Sequence, residues 1–387
     1  MGSVDVCVKL RKLTIIADYD YHGGPYDYVV SLLEHFSGIY NIDLFVPDNE
    51  YVDRIISLVN HASSIRVFVL PSALSKIKFF RRYPEGLLGD LLLLWSVMYS
   101  VVKSERVIIS VSGAGRFLGF VGIMGRKAIY VPHSLTRLSG NIIRAKTPYI
   151  KLSLIRNASI VCVSDYQRNN LSEAWQIDGD HMKVIRNTVK TPRLYCSLLQ
   201  QRNPIVVITV GNLIQYKHPD LWVRIALRCL RKNDKLHFVW YGDGDLLDVT
   251  RKSVPEQYRN AIKFLGYTAD VDSKLIEADI YLHTSTEESF SLATLQAMSY
   301  KLPVVHYAGT AIDEMVTQKY AVSCKPLSIS QCSNAILALA STPSKRTQMG
   351  KNAYNNYKQR YHSRIWKQAW SEMLGNASSD CSRLLVK

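Results

Sequence analysis

The stretch from Thr284 to Val305 reads T-S-T-E-E-S-F-S-L-A-T-L-Q-A-M-S-Y-K-L-P-V-V. Ala278-Asp279 leads into it through Ile280-Tyr281-Leu282, a short apolar run that reads as a buried strand. Phe290, Leu292, Leu295 and Met298 recur at helical spacing and predict a helix from about Leu292 to Tyr300. Pro303 ends that helix, and Val304-Val305 opens the next strand. The hydroxyls of Thr284, Ser285 and Thr286 are suited to capping the helix N-terminus. A polar loop carrying a carboxylate between a strand's end and a helix's start is where open α/β sheets bind ligands. The helix dipole and free N–H groups at that point favour anions such as phosphate.

The same rhythm extends in both directions. Leu13–Ala17, Ile42–Val46, Ile65–Leu70, Val107–Val111, Ala128–Val131 and Ile160–Val163 read as strands, with a helix predicted from about Tyr26 to His35. Ile205–Val210, His237–Tyr241, Ile262–Leu265, Ile280–Leu282 and Val304–His306 form a second series. Alternation of strands with longer segments implies parallel sheets covered by helices on both faces. The rhythm breaks between Asn187 and Pro204, where Thr191-Pro192 and Arg202-Asn203-Pro204 bracket a polar linker. At 387 residues the chain accommodates two domains, expected at 1–192 and 203–361. A terminal helix bearing Ile365, Trp366, Ala369, Trp370 and Met373 is expected to pack back on the first domain from within 362–387.

Composition narrows the classes. Cys7, Cys162, Cys196, Cys229, Cys324, Cys332 and Cys381 are scattered, with no C-x-x-C pair, which argues against a disulfide framework or a zinc site and for a reducing cytoplasm. The start shows no signal peptide, and the apolar run Gly86–Val102 is 17 residues long and holds Asp90, so it reads as a core helix rather than a membrane span. The net charge is +16. Between Glu105 and Asp165 there is no acidic residue but nine cations, a field suited to phosphates. Lys76, Lys78, Arg81 and Arg82 interleave with Phe79, Phe80 and Tyr83, a mixture suited to an anionic membrane surface. No nucleic-acid-binding motif accompanies these cations.

Several motifs follow one another in order: Gly23-Gly24 after the first strand, Val131-Pro132-His133-Ser134, Val163-Ser164, Ile185-Arg186-Asn187, Gly211-Asn212-Leu213 with Lys217, Tyr241-Gly242-Asp243-Gly244, Phe264-Leu265-Gly266-Tyr267, Glu288 to Gln296, and Leu302-Pro303-Val304-Val305. This order resembles the retaining glycosyltransferases of family 4, the glycosyl transferases group 1. The resemblance implies the α/β GT-B fold, in which two Rossmann-like doubly wound parallel-sheet domains face an interdomain cleft. It implies transfer of a hexose or related sugar from a UDP- or GDP-linked donor, with retention and without a metal or other cofactor. The implied acceptor is a lipid-linked oligosaccharide or polysaccharide in O-antigen- or capsule-like biosynthesis at the cytoplasmic face of the cell membrane.

By that resemblance His133, Lys217 and Glu288 are the catalytic candidates: Lys217 neutralises the donor diphosphate, Glu288 binds hydroxyls of the transferred sugar, and His133 meets the donor sugar or the acceptor. Gly23, Gly24, Asn212, Gly242, Tyr267, Ser289, Phe290, Ser291 and Gln296 are the donor-binding candidates, with position 296 facing the ribose. Arg137 and Arg144 are candidates for phosphate or acceptor. Asp18-Tyr19-Asp20 spells D-x-D, which on this fold reads as strand-end chemistry and not as a metal site. The chain departs from the family pattern at four places. Asn212 stands for the usual Arg, removing a bidentate phosphate clamp. Gln296 stands for the second Glu but still accepts and donates hydrogen bonds. Ser289 and Ser291 stand for the glycines flanking the Phe. These departures motivate a second reading, a catalytically weakened nucleotide-sugar-binding partner subunit. A sugar-nucleotide epimerase of the same fold matches the Glu288 segment less well.

Overall fold

The computed structural model describes residues 10–18, 23–47, 52–59, 62–70, 97–112, 118–135, 150–152, 154, 157–192 and 203–375. Arg137, Arg144, the Lys76–Tyr83 run, Tyr19-Asp20, the chain from Gly86 to residue 96 and most of the expected linker lie outside these residues.

Apolar runs rich in Val and Ile become strands buried on both faces, as parallel sheets require. In the first unit these are β1 (Arg11–Asp18), β2 (Tyr40–Pro47), β3 (Ile65–Leu70), β4 (Arg106–Val111), β5 (Ala128–Pro132), β6 (Ser159–Cys162) and β7 (Met182–Val184). They form one parallel sheet in the order β3-β2-β1-β4-β5-β6-β7. The second sheet joins β8 (Ile205–Val210), β9 (Leu236–Tyr241), β10 (Ile262–Phe264), β11 (Ile280–His283), β12 (Val304–Tyr307) and β13 (Ala321–Cys324) in the order β10-β9-β8-β11-β12-β13. It too is parallel throughout. Both sheets are doubly wound, and the winding reverses between β1 and β4 and between β8 and β11. At such a switch point two loops diverge and leave a crevice at the carboxyl ends of the strands.

Two compact units result, residues 1–163 with 168–184 and residues 164–167 with 185–387. The helix Ser363–Met373 is grouped with the second of them. Predicted strand bounds agree with the observed ones to within a residue or two, and the helix read from about Leu292 spans Leu292–Ser299. Its cap differs from the expectation. Ser291 Oγ, not the hydroxyls of Thr284, Ser285 or Thr286, accepts from Thr294 N at 3.4 Å. Those three hydroxyls are engaged by the loop itself and by residues 216–218 instead. Thr284 Oγ1 donates to Lys217 O at 2.7 Å, and Ser285 Oγ to Glu287 O at 3.0 Å. Thr286 Oγ1 lies 3.0 Å from His218 Nε2.

Among the described residues no helix is long and apolar enough to cross a membrane. The described cysteines Cys162, Cys229, Cys324 and Cys332 are free thiols buried in the two cores.

The helix Leu292–Ser299 is held from outside by the helix Pro343–Arg360. Their close approach depends on Gly350, where a Cβ would sit 1.9 Å from Lys301 O. Gly350→Ala should push the two helices apart and lower stability by about 2 kcal/mol, read as a fall in the thermal midpoint of the purified protein.

Candidate functional site

At the carboxyl end of the second sheet, the loops that follow β8 and β9 lie on each other. Trp240 Nε1 donates to Gly211 O at 2.7 Å, Leu213 N to Asp243 O at 2.8 Å, and Gly242 N to Gly266 O at 2.8 Å. A Cβ on Gly242 would fall 2.0 Å from Gly211 O, and one on Gly244 would fall 2.7 Å from Leu213 O. Both glycines also have φ near +145°, a region that disfavours L side chains. The glycines of this motif therefore permit one loop to sit against the next.

The chain after Gly211-Asn212-Leu213 forms a 3-10 turn, Gln215–Lys217, before the helix Pro219–Leu230. Two bonds staple this turn to the loop after β11: Thr284 Oγ1 to Lys217 O, and Thr286 N to Tyr216 O at 3.0 Å. The staple delivers Lys217 Nζ to 2.5 Å from Glu288 Oε1, across 71 residues of sequence. His283 Nε2 reaches the same oxygen at 2.9 Å. The Lys217 and Glu288 side chains are only 16% and 12% exposed, so neither charge is free to leave the other for water.

Electrostatics follow from that geometry. Burial opposes ionisation of Glu288, but the Lys217 ammonium and the His283 N–H outweigh it and hold the carboxyl down at about 2. Burial also pushes His283 down, against the pull of Glu288, so the imidazole is neutral at pH 7. A neutral ring that donates from Nε2 must accept at Nδ1, where Tyr281 OH lies 3.3 Å away. Burial raises the Tyr281 phenol well above its ordinary range, so it keeps the proton that it donates. Tyr281, His283, Glu288 and Lys217 thus form one buried relay ending in an ammonium–carboxylate pair.

The helix Leu292–Ser299 begins at an unusual residue. Ser291 has φ +81°, is buried, and pairs its hydroxyl with Thr294 Oγ1 at 2.9 Å. A left-handed Ser costs about 1 kcal/mol, and the hydroxyl bonds offset it. Ser289 O accepts from Ser164 Oγ at 2.6 Å. Phe290 is buried edge-on against Tyr361, with 5.9 Å between ring centroids. Gln296 donates from Nε2 to Asp272 Oδ1 at 2.8 Å, so the amide is oriented by a carboxylate on the helix Val271–Ile276. Tyr267 is 48% exposed and follows Gly266, whose φ is +72°.

In the first unit, the helix Gly24–Phe36 starts at the carboxyl end of β1, with Gly23 O accepting from Asp27 N at 3.2 Å. Asp18 closes β1 as a buried residue. His133 follows β5, takes a 2.9 Å contact between Nε2 and Ser110 Oγ, and meets the Tyr28 ring edge-on at 4.6 Å. Burial pushes its pKa down to about 3, so His133 is a neutral hydrogen-bonding group near pH 7. Gly23, Gly24 and His133 therefore share the carboxyl edge of the first sheet, beside its switch point.

Of the sequence candidates, Lys217 and Glu288 are in direct contact, Asn212 and Gly242 belong to the stacked loops beside them, and Ser289, Phe290, Ser291 and Gln296 belong to the loop and helix that follow Glu288. His283, Tyr281 and Asp272 escaped the sequence reading. His283 and Tyr281 sit inside the apolar strand run, where alternate residues read as core. Asp272 is 24 residues from Gln296 on a separate helix, so no local pattern joins them. Among the described residues no group of His, Cys, Asp and Glu is arranged to hold a metal ion.

Residues 197–356 match the family model described as glycosyl transferases group 1. The chain is similar to the phosphatidylinositol N-acetylglucosaminyltransferase GPI3 subunit of Saccharomyces cerevisiae (strain YJM789), at 23% identity over 293 residues, covering 70% of this chain and 65% of that protein. The chain therefore matches just under two thirds of that relative's own length. Among solved structures, Anabaena Alr3699/HepE in complex with UDP superposes with a TM-score of 0.74 at 17% identity, covering 95% of this chain and 100% of the other. The pneumococcal O-GlcNAc transferase GtfA in complex with UDP and GlcNAc superposes with a TM-score of 0.71 at 13% identity, covering 96% and 100%. At these identities the structural likeness is one of fold.

Glu288 ionises at about 2 in the folded protein against an ordinary 4.5. A depressed carboxyl pKa contributes stability that is complete above the ordinary value and is lost as the pH falls through the folded one. Glu288→Gln should cost about 3 kcal/mol near neutral pH, since it leaves Lys217 buried without its counter-charge. Denaturant melts should show the gap to the unmodified protein closing between pH 4.5 and about 2.

Proposed function

We propose that this chain, which has the GT-B fold and matches the glycosyl transferases group 1 family over residues 197–356, moves a hexose or N-acetylhexosamine from a UDP-linked donor to a lipid-linked or polymeric glycan, with retention of configuration. The observation that carries this reading is the Lys217–Glu288–His283 cluster at the β8–β11 switch point. A sugar nucleotide brings a diphosphate, which needs a cation, and sugar hydroxyls, which need an acceptor. Lys217 supplies the first and Glu288 the second. Both bonds to Glu288 within the cluster fall on Oε1, which directs a hydroxyl to Oε2. UDP is favoured over GDP because HepE and GtfA are both recorded with UDP. An N-acetylated sugar is favoured by the activity in the name of the yeast relative.

In this reading the second unit holds the donor and the first holds the acceptor. As the sugar departs, negative charge grows on the diphosphate, and Lys217 stabilises it in a partly dry site. The departing diphosphate takes the proton of the incoming hydroxyl on the same face, and no metal is needed for that step. His133, neutral at pH 7, orients a hydroxyl of donor or acceptor rather than carrying a charge. The reaction serves cell-surface glycan synthesis at the cytoplasmic face of a membrane.

A second reading, a nucleotide-sugar-binding partner subunit, draws on two residues. Asn212 carries no charge, and the Gln296 amide is engaged by Asp272. The two readings part in one assay. Calorimetry with UDP, followed by release of UDP from UDP-GlcNAc, UDP-glucose and GDP-mannose in the presence of acceptor extracts, should show turnover with a UDP-sugar. Lys217→Ala should reduce that turnover by about 100-fold or more. Binding of UDP without turnover of any donor would favour the partner subunit, and absence of nucleotide binding would end both readings. The rate should also lack an inflection near pH 6.5, because His133 has already lost its proton well below that pH.

A further inference from the structure

We propose that Cys324 and Cys332 form a reversible oxidation site in the second unit, with Cys324 as the attacking sulfur and Cys332 as the resolving one. Cys324 ends β13, the last strand of its sheet, and pairs on the inner side with Tyr307 of β12. Cys332 lies in the first turn of the helix Ile329–Ser341 that follows. The turn between them is tightly closed. Lys325 N donates to Gln331 Oε1 at 2.7 Å, Ser328 N donates to Lys325 O at 3.0 Å, and Ser328 Oγ accepts from Gln331 N at 3.4 Å. The helix start is thereby folded back on the strand end, and the Cys332 thiol donates to the Cys324 sulfur. Two sulfurs in hydrogen-bonding contact already have the proximity that a disulfide demands.

The two thiols differ in access and in acidity. A cleft of about 440 Å³ opens beside β13, and its wall includes Ser323, Cys324, Gln331, Asn334 and Lys345. Cys324 belongs to that wall and Cys332, fully buried, does not, so a small oxidant in the cleft meets Cys324 first. The bond from Cys332 holds the Cys324 thiol below its ordinary range, while the same bond and burial hold Cys332 above it. Lys345 adds a cation to the cleft, which favours a thiolate there. A third thiol, Cys229, is packed in the same core but donates to Ser333 O at 3.6 Å, and burial pushes it up to about 12. Such a thiol is inert to mild oxidants.

The co-reactant is hydrogen peroxide. The Cys324 sulfur attacks one peroxide oxygen, the O–O bond breaks, and the released hydroxide leaves as water with the Cys324 proton. The Cys332 sulfur then attacks the sulfenic sulfur of Cys324. The S–S bond forms, the S–O bond breaks, and the hydroxyl departs as a second water with the Cys332 proton. Two thiols are oxidised and one peroxide is reduced. The product bolts the end of β13 to the helix start, beside Ala308, whose N–H donates to Cys324 O at 2.8 Å. The site lies on other elements than Lys217 and Glu288, so the inference does not depend on the reaction proposed above.

Peroxide treatment of the purified protein, followed by alkylation in denaturant and digestion with trypsin, tests it. Both thiols fall in the one peptide 320–345, because Lys325 precedes Pro326 and is not cut. That peptide should lose two hydrogens and its capacity for alkylation, and dithiothreitol should restore both. The loss should be about tenfold or more faster than that of the Cys229 thiol. Cys332→Ser should halt the reaction at a sulfenic acid on Cys324, captured by dimedone, and Cys324→Ser should leave Cys332 reduced. Phenylarsine oxide, which bridges neighbouring thiols, provides the test on the unmodified protein should either variant fail to fold: a single arsenic should shield both thiols of the peptide from alkylation. Thiols that stay open to alkylation after both reagents would overturn the proposal. So would oxidation of Cys332 in Cys324→Ser, or a disulfide from either thiol to Cys229.

Discussion

The second unit is organised by the ion pair between Lys217 and Glu288. Neither residue is isolated from water completely, yet neither is exposed enough to be solvated alone. A buried pair of this kind is a poor source of stability in itself, because desolvation consumes much of the attraction. What it imposes is position. The turn after β8 must approach the loop after β11, so the hydroxyls of Thr284 and Thr286 are spent on Tyr216, Lys217 and His218. The His283 ring must stand between Tyr281 and Glu288, which orients it, while burial keeps it neutral against the pull of the carboxylate. An ammonium is then held beside a carboxylate, at the place where two loops of the sheet diverge.

The surroundings of the pair show the same economy of space. Gly242 and Gly244 have no side chain because the backbone of Gly211 to Leu213 occupies that volume. Gly350 is bare because Lys301 O occupies its side. Ser291 is the exception, a side chain in a conformation that glycine adopts more cheaply. Its hydroxyl caps the helix Leu292–Ser299 and binds Thr294 Oγ1, so the strain is exchanged for a fixed helix start. Strain of this kind persists only where the surroundings over-determine it, and here it stands three residues from Glu288.

Much of the fold was legible in the chain. The strand runs, their alternation with longer segments and the resulting parallel sheets follow from hydrophobic period and length, which are local properties. The ordered motifs marked the candidate site as far as Lys217, Glu288 and Gln296. Local reading failed where a side chain's partner is distant. Thr284, Ser285 and Thr286 look like caps because their residue type and their place ahead of a helix are right. Nothing nearby in sequence says that the turn at Gln215–Lys217 claims two of them first. His283 looks like core because its strand is apolar, although its ring serves the carboxylate five residues on.

By itself the sequence determined the class of structure: two parallel-sheet units, and an anion-seeking loop ahead of the helix at Leu292. Those follow from periodicity and from the conformational demands of Gly and Pro, which act over a few residues. Only the tertiary structure decided which groups meet. It set Lys217 on Glu288 across 71 residues and turned Gln296 toward Asp272 across 24. The reason is physical. Charge, desolvation and packing act over ångströms of space, and distance along the chain says little about them once a parallel sheet has brought its strand ends together.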